Sequence, residues 1–247
     1  MVLKVGHTIV TARTVESTNN YAISQCAGNE IEEGTVFLAY EQTAGRGQIH
    51  NRWESEAGMN LTFSIVLKPS FLEIQKQFML SKAVSLGLVD FLSRYTEEVK
   101  IKWPNDIYVS DGKICGILIE NAIMAGTISH SVVGIGLNIN QTRFLSPAPN
   151  PVSLKMITGR DYEPDVLVKE LLSAIDRSYG SLREGRFGEL DEAFRAKLYR
   201  LGEWHTYRDA AHQYTGMITG VNPIGQLRIR EEDGPEHSYH FKEVEYL

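Results

Sequence analysis

The sequence predicts an α+β chain in two parts: a large N-terminal unit mixing buried strands with helices, and a small all-β unit at the C-terminus. Three observations carry this. Short β-branched and aliphatic runs, bounded by Gly, Pro and polar residues, recur between residues 8 and 140. One long helical pattern interrupts them at 78–92, and two amphipathic helices follow at about 164–182 and 189–200. After Leu201-Gly202 four short strand patterns come in succession, at 205–208, 215–221, 226–231 and 238–245, which suggests a small barrel. The expected units are therefore residues 1–201 and 202–247.

Composition narrows the function. The 247 residues carry a formal net charge of -6, which argues against a general nucleic-acid binder. The two cysteines, Cys26 and Cys115, lie far apart in apolar patterns, so neither a disulfide framework nor a zinc site is expected. His205, His212, His237 and His240 have no metal-ligand spacing and read as scattered surface residues. The N-terminus lacks a signal-peptide pattern, and no apolar run is long enough to cross a bilayer. A cytoplasmic protein without a membrane partner is expected.

In chain order, a short strand at 8–12 leads to Ser17-Thr18-Asn19-Asn20, where a helix begins. Ser17 or Thr18 is suited to cap it, and three small polar side chains at a helix start can also hold a polar ligand. The strand at 34–40 runs into residues 41–53, which have neither helical nor strand period. This segment reads either as a solvated connection or, since a loop this long inside a compact domain is more often functional or mobile, as a working segment. Gly45 and Gly47 let backbone N–H groups face a ligand, and Arg46 between them suits a phosphate or carboxylate. The P-loop spacing is absent. The strand at 60–67 precedes the long helix, whose Phe78 and Met79 read as core filling. The strand at 129–140 contains Gly134 and Gly136, which permit close backbone approach.

Residues 101–121 are the densest stretch. Ile107 and Val109 alternate with polar neighbours, and Asp111-Gly112 signals a tight hairpin. The aliphatic run 114–120 suits a strand buried on both faces. Lys113 thus enters a buried strand from a turn, where a cation is either turned to solvent or held against an anion. Gly116 inside that strand suggests close approach of another group.

S-T-N at 17–19, Q-T-A-G-R-G at 42–47, K-W-P-N-D at 102–106 followed by D-G-K-x-x-G-I-L-I-E at 111–120, and G-I-G-L-N-I-N at 134–140 together resemble the biotin protein ligases, over roughly residues 8 to 200. The resemblance implies a mixed sheet flanked by helices, related to the class II aminoacyl-tRNA synthetase fold, closed by a small SH3-like C-terminal barrel. It implies ATP-dependent formation of biotinyl-5'-AMP, then transfer of biotin to a lysine of a biotin carboxyl carrier protein or domain, with Mg2+ accompanying the nucleotide. By the same resemblance Lys113 and Arg46 are the catalytic cations. Ser17, Thr18, Asn19, Gln42, Gly45, Gly47, Gln48 and Gly116 join them around biotin, and Trp53, Asn105, Asp106 and Asn138 around the adenylate. Trp53 is expected to close the loop over the ligand, with simple loop packing as the alternative. The metal ligands are left unassigned. Members with an N-terminal helix-turn-helix repressor domain have more chain before the first catalytic strand, so a form without DNA binding is expected. Homodimerisation is left open.

The loop departs from the family pattern. Many relatives read G-R-G-R-x-G-R-x-W, whereas Gln48 and Asn51 stand here in place of arginines and His50 in place of a glycine. The loop's positive charge is lower, and Arg52 or protonated His50 is expected to compensate in part. Two alternatives use the same residues: a lipoate-protein ligase, separable by titration with biotin and lipoate, and a non-catalytic biotin-binding protein, separable by pyrophosphate release.

Overall fold

The computed structural model describes residues 5–48, 51–146 and 150–247. Seven strands form one sheet: β1 (Ile9–Val15), β2 (Val36–Gln42), β3 (Leu61–Leu67), β4 (Val99–Lys102), β5 (Asp106–Val109), β6 (Gly112–Met124) and β7 (Thr127–Leu137). Their order is β1-β2-β3-β7-β6-β5-β4. β1 runs parallel to β2 and the other neighbours pair antiparallel, so the sheet is mixed.

Side-chain alternation divides this sheet into two working faces. Leu61, Phe63, Ile65 and Leu67 of β3 belong to the main core with α2 (Phe78–Leu92) and α4 (Pro164–Arg183). Gly87 allows α2 and α4 to meet closely, since a Cβ there would lie 2.7 Å from the Ile175 Cα. On the opposite face Val66 packs with Phe37, Val132 and Ala22 of α1 (Thr18–Gly28). Thr62 and Ser64 share that second face, which is why β3 is buried throughout although two of its residues are polar.

Several expectations shift in detail. The helix expected at 189–200 is α5, Phe187–Ala196. It stops early because residues 197–199 leave the helix to lie along β4, with the Ile101 N–H donating to Lys197 and the Tyr199 N–H to Ile101. α3 (Leu154–Thr158) is a short addition that the pattern did not announce. The tight turn sits on Ser110-Asp111, where Ser110 takes φ 50° and its hydroxyl donates to Glu98, while Gly112 already belongs to β6. Nor is β6 buried on both faces, because Gly116, Leu118 and Glu120 are only partly covered.

The C-terminal strands β8 (Trp204–Arg208), β9 (Gln213–Val221), β10 (Leu227–Glu231), β11 (Glu236–Tyr239) and β12 (Glu245–Tyr246) form a five-stranded antiparallel sheet, in the order β11-β10-β9-β8-β12. The single strand expected at 238–245 is therefore two strands on opposite edges, separated by a turn with Lys242 at φ 68°. Two histidines are less scattered than their spacing suggests: His212 and His237 both approach Glu231, at 3.4 and 3.2 Å. The indole N–H of Trp103 donates to the Gly225 carbonyl at 2.9 Å, which docks this sheet on the K-W-P-N-D corner.

Candidate active site

A cavity of about 520 Å³ opens on the α1 face of the seven-stranded sheet, between the ends of β5 and β6 and the C-terminal sheet. Its floor is made of glycines. A Cβ on Gly134 would sit 2.1 Å from Asn19 Oδ1, and one on Gly136 would sit 2.3 Å from the Trp53 ring. Gly116 lies beneath the same indole, at 2.9 Å from its Cβ position. The close approach expected of these glycines is thus made by Asn19 and Trp53.

The S-T-N triplet stands at one end. Ser17 is at the N-cap position of α1 but makes no side-chain cap bond. Gln42 supplies the acceptor instead: the Thr18 backbone N–H donates to its Oε1 at 2.8 Å. Ser64, from the polar positions of β3, hydrogen-bonds Thr18 Oγ1 at 2.8 Å and Asn19 Oδ1 at 2.6 Å. The Asn19 amide donates to the Leu118 carbonyl and to Glu120 Oε2. Asn19 is therefore engaged by the protein at both ends of its amide, and its geometry is that of a strut.

The glycine-arginine segment, unpatterned in sequence, is a narrow hairpin. The Gly47 N–H donates to Asn51 and the Trp53 N–H to Gly45, with a β-bridge between Arg46 and Arg52. Ile49 and His50 lie outside the described residues. Arg46 meets Glu120 through both guanidinium ends, at 2.8 and 3.1 Å, and donates to Asn20 Oδ1 at 2.6 Å. Such a fork fixes its direction as well as its charge. Among the described residues, Gln48 Oε1 and Trp53 Nε1 are buried without a hydrogen-bond partner. Buried polar atoms of that kind are costly unless a water or ligand meets them.

Lys113 stands on the opposite wall because of a bulge. Ile107 faces Cys115 but Tyr108 faces Lys113, so Ile114 is an extra residue on β6. The extra residue reverses the alternation and puts Lys113 on the same face as Gly116. Its Nζ is 2.7 Å from Asp106 Oδ1 and 5.8 Å from the Trp53 ring centroid. Asn105 is held by the edge of β6, its amide donating to the Ile117 carbonyl at 2.6 Å. Gly45 and Asn138 are not among the residues that line the cavity. Gly45 lies in contact with the Trp53 carbonyl and Gln42, and Asn138 is buried, donating to Val152.

Three further contributors have no role assigned from the sequence, although Lys102 and Glu120 stand inside the K-W-P-N-D and D-G-K-x-x-G-I-L-I-E motifs. Lys102 lines the cavity inside a cage of Tyr108, Tyr199 and Tyr246 rings, with Nζ 3.2 Å from the Tyr108 hydroxyl. Burial, reinforced by Arg200 and Lys113 and partly countered by Asp106, pushes its pKa down. Phe241, Lys242 and Tyr246 bring the C-terminal sheet to the rim. Glu120 anchors Arg46 and Asn19 together. Only the three-dimensional path of the chain brings the C-terminal residues to the cavity and decides what Lys102 and Glu120 touch.

The cations Arg46, Arg52, Lys102, Lys113 and Lys242 line this cavity against the carboxylates Asp106 and Glu245. That surplus suits a reaction between two anions. Among the described residues no group of three His, Cys, Asp or Glu side chains could hold a metal ion.

Comparison with known proteins agrees with this geometry. Residues 10–138 match the sequence model of the Biotin/lipoate A/B protein ligase family. The chain is 31% identical to a biotin–[acetyl-CoA-carboxylase] ligase of Paracoccus denitrificans, over 90% of this chain and 94% of that protein. It is 25% identical to the bifunctional ligase/repressor BirA of Bacillus spizizenii, over 95% of this chain and 73% of the relative. Its fold superposes on the biotin protein ligase of Aquifex aeolicus solved with biotin and ATP, with TM-score 0.80 and 26% identity, covering 98% of this chain and 100% of that one. A glycine-floored cavity between an arginine hairpin and a bulged lysine strand, in a chain matched along its length, places this protein in the biotin/lipoate A/B protein ligase family.

Proposed function

We propose that the chain is a biotin protein ligase acting in two steps. The biotin carboxylate attacks the α-phosphorus of ATP, a P–O bond to pyrophosphate breaks, and biotinyl-5'-AMP forms. The amine of an acceptor lysine then attacks the acyl carbon, the bond to AMP breaks, and the amine loses a proton. The acceptor is a biotin carboxyl carrier protein or domain, the partner implied by the names of the Paracoccus relative and of a Mycobacterium tuberculosis relative. The observation that carries this reading is the convergence of Lys113 and Arg46 on one glycine-floored cavity.

Both steps bring negative charge to non-bridging oxygens, so positioning and fixed cations supply most of the catalysis. Lys113 lies between the two anions of the first step, lowering their repulsion, and releases Asp106 as it does so. Arg46 works from the opposite wall. Ser17, Thr18 and Gln42 face the ureido head of biotin, with Asn19 holding their frame. The backbone of Gly47, the amide of Gln48 and the floor at Gly116, on which the Trp53 ring lies, complete that end. Trp53 covers the ring system, and Gly45 sets the hairpin that carries it. Asn105, Asp106 and Asn138 serve the adenylate side. Mg2+ accompanying ATP would offset charge on the phosphates, and Asp106 on the Lys113 wall would be the cavity carboxylate placed to contact it. Residues 1–201 form the catalytic unit and residues 202–247 the closing unit. No helix among the described residues is long and apolar enough to cross a membrane, in keeping with a cytoplasmic enzyme.

The test is ATP-dependent transfer of biotin to a purified carrier domain. Wild type labels the carrier and releases pyrophosphate, and Lys113→Ala does neither at a comparable rate. A wild type that leaves the carrier unlabelled sinks the reading.

A further inference from the structure

We propose that Glu54 is a positioning residue that latches the arginine hairpin to the connection after β7, so that the biotin and nucleotide halves of the site form together. The inference rests on the ligase reading above. Glu54 directly follows Trp53, whose ring covers Gly116 and Gly136. Its carboxylate does not point into the cavity. Instead Oε1 and Oε2 accept the Leu145 N–H at 2.9 and 3.0 Å, Oε2 accepts the Ser146 N–H at 2.6 Å, and the Gln141 amide donates to Oε1 at 3.3 Å. Two successive backbone N–H groups facing one anion make a small anion-binding concavity. Partial burial works against the charge, but the bonds from Leu145, Ser146 and Gln141 outweigh it and hold the Glu54 carboxyl below its ordinary value.

The surrounding bonds make this a path. Gln141 is 2% exposed, and its Oε1 accepts from the Glu56 N–H at 2.9 Å and from the Asn60 amide at 2.6 Å. Asn60 Oδ1 in turn accepts from the Ile139 N–H at 2.9 Å. Residues 150–152 of the same connection grip the strand that carries Lys113: the Lys113 N–H donates to Asn150 and the Val152 N–H donates back to Lys113. The Asn138 amide closes the circuit on Val152. Two runs of hydrogen bonds, joined through the Asn138-Ile139 peptide, thus connect the residue beside Trp53 to the backbone of Lys113. Leu145 is 95% exposed, so apolar burial does little to hold its turn and the carboxylate carries that task.

Glu54→Gln keeps the shape but replaces one acceptor oxygen with an NH2 group facing N–H donors. Wild type is expected to bind a non-hydrolysable ATP analogue more tightly when biotin is present, and Glu54→Gln to lose about tenfold of that coupling while its affinity for biotin alone changes little. In turnover the KM for ATP should rise with kcat nearly unchanged. Hydrogen exchange at the Leu145 and Ser146 amides should accelerate in the variant while the buried amides of α2 keep their protection, which separates a lost latch from a loosened fold. Equal coupling in the two proteins, or no coupling in wild type, overturns the inference. Absence of biotin-dependent pyrophosphate release by wild type would instead bring down the ligase reading beneath it.

Discussion

The two walls of the cavity hold their cations in different ways. Lys113 belongs to a strand paired on both sides, with β5 on one and with residues 150–152, then β7, on the other. Its position follows from backbone ladders and a bulge. Arg46 belongs to a hairpin closed by its own backbone bonds, but fixed against the sheet by side-chain bonds to Glu120 and Asn20 and by a tryptophan laid on glycines. The lysine wall is preformed, whereas the arginine wall is held by contacts a ligand can replace. A site divided this way can admit a substrate through one wall while keeping the reacting geometry on the other.

The comparison can be broken most sharply at Lys113. Lys113→Ala should lower biotin-dependent pyrophosphate release by roughly 100- to 1,000-fold, about 3–4 kcal/mol of transition-state stabilisation. The melting temperature should hardly move, because the strand is held by its backbone; a large fall in melting temperature would show the side chain to be structural. Next comes Gly136→Ala, whose Cβ would meet the Trp53 ring at 2.3 Å. Overpacking of that kind costs about 1–3 kcal/mol, here taken from the seating of Trp53 and so from biotin affinity. Titration of biotin that found wild-type affinity would remove Trp53 from the ligand's cover.

Glu120→Gln tests the arginine wall at lower stakes. Arg46 and Glu120 are 39% and 31% exposed, so the pair is worth on the order of 1 kcal/mol. Biotin affinity should fall a few-fold as Arg46 and Asn19 lose their common anchor, and an unchanged affinity in a direct binding measurement would mean that the ligand orders them unaided. The smallest effect is expected from Arg52→Ala. An exposed cation of this kind contributes roughly 0.2–1 kcal/mol, so the adenylate should dissociate only a few times faster. Unaltered dissociation would remove Arg52 as a substitute for the arginines that Gln48 and Asn51 displace.

Much of the fold is legible because β-branched runs, glycine breaks and the apolar period at 78–92 are local signals. Burial makes those signals strong, since a strand or helix with the wrong pattern could not cover the core. The site is legible where its chemistry needs a short motif: Arg46 between two glycines, Lys113 beside a turn, the S-T-N triplet. What is missed is longer in range. Gln42 rather than Ser17 satisfies the start of α1, because a neighbouring strand end comes within 2.8 Å of it. The last expected strand splits because β11 and β12 lie on opposite edges of one sheet.

The amino-acid sequence by itself determined the alternation of strands and helices, the change of character after Leu201-Gly202, and the residue types that can hold two anions. These depend on neighbours a few residues apart, where sterics and burial act through the local pattern. Tertiary structure alone decided that Lys113 faces the cavity, since one extra residue in β6 reverses the alternation and no local signal announces it. It also decided that Lys102 sits among tyrosines drawn from three parts of the chain, and that Glu54 binds backbone N–H groups 91 and 92 residues away. Those partners meet only when the two sheets have docked and the connection after β7 has returned to its place.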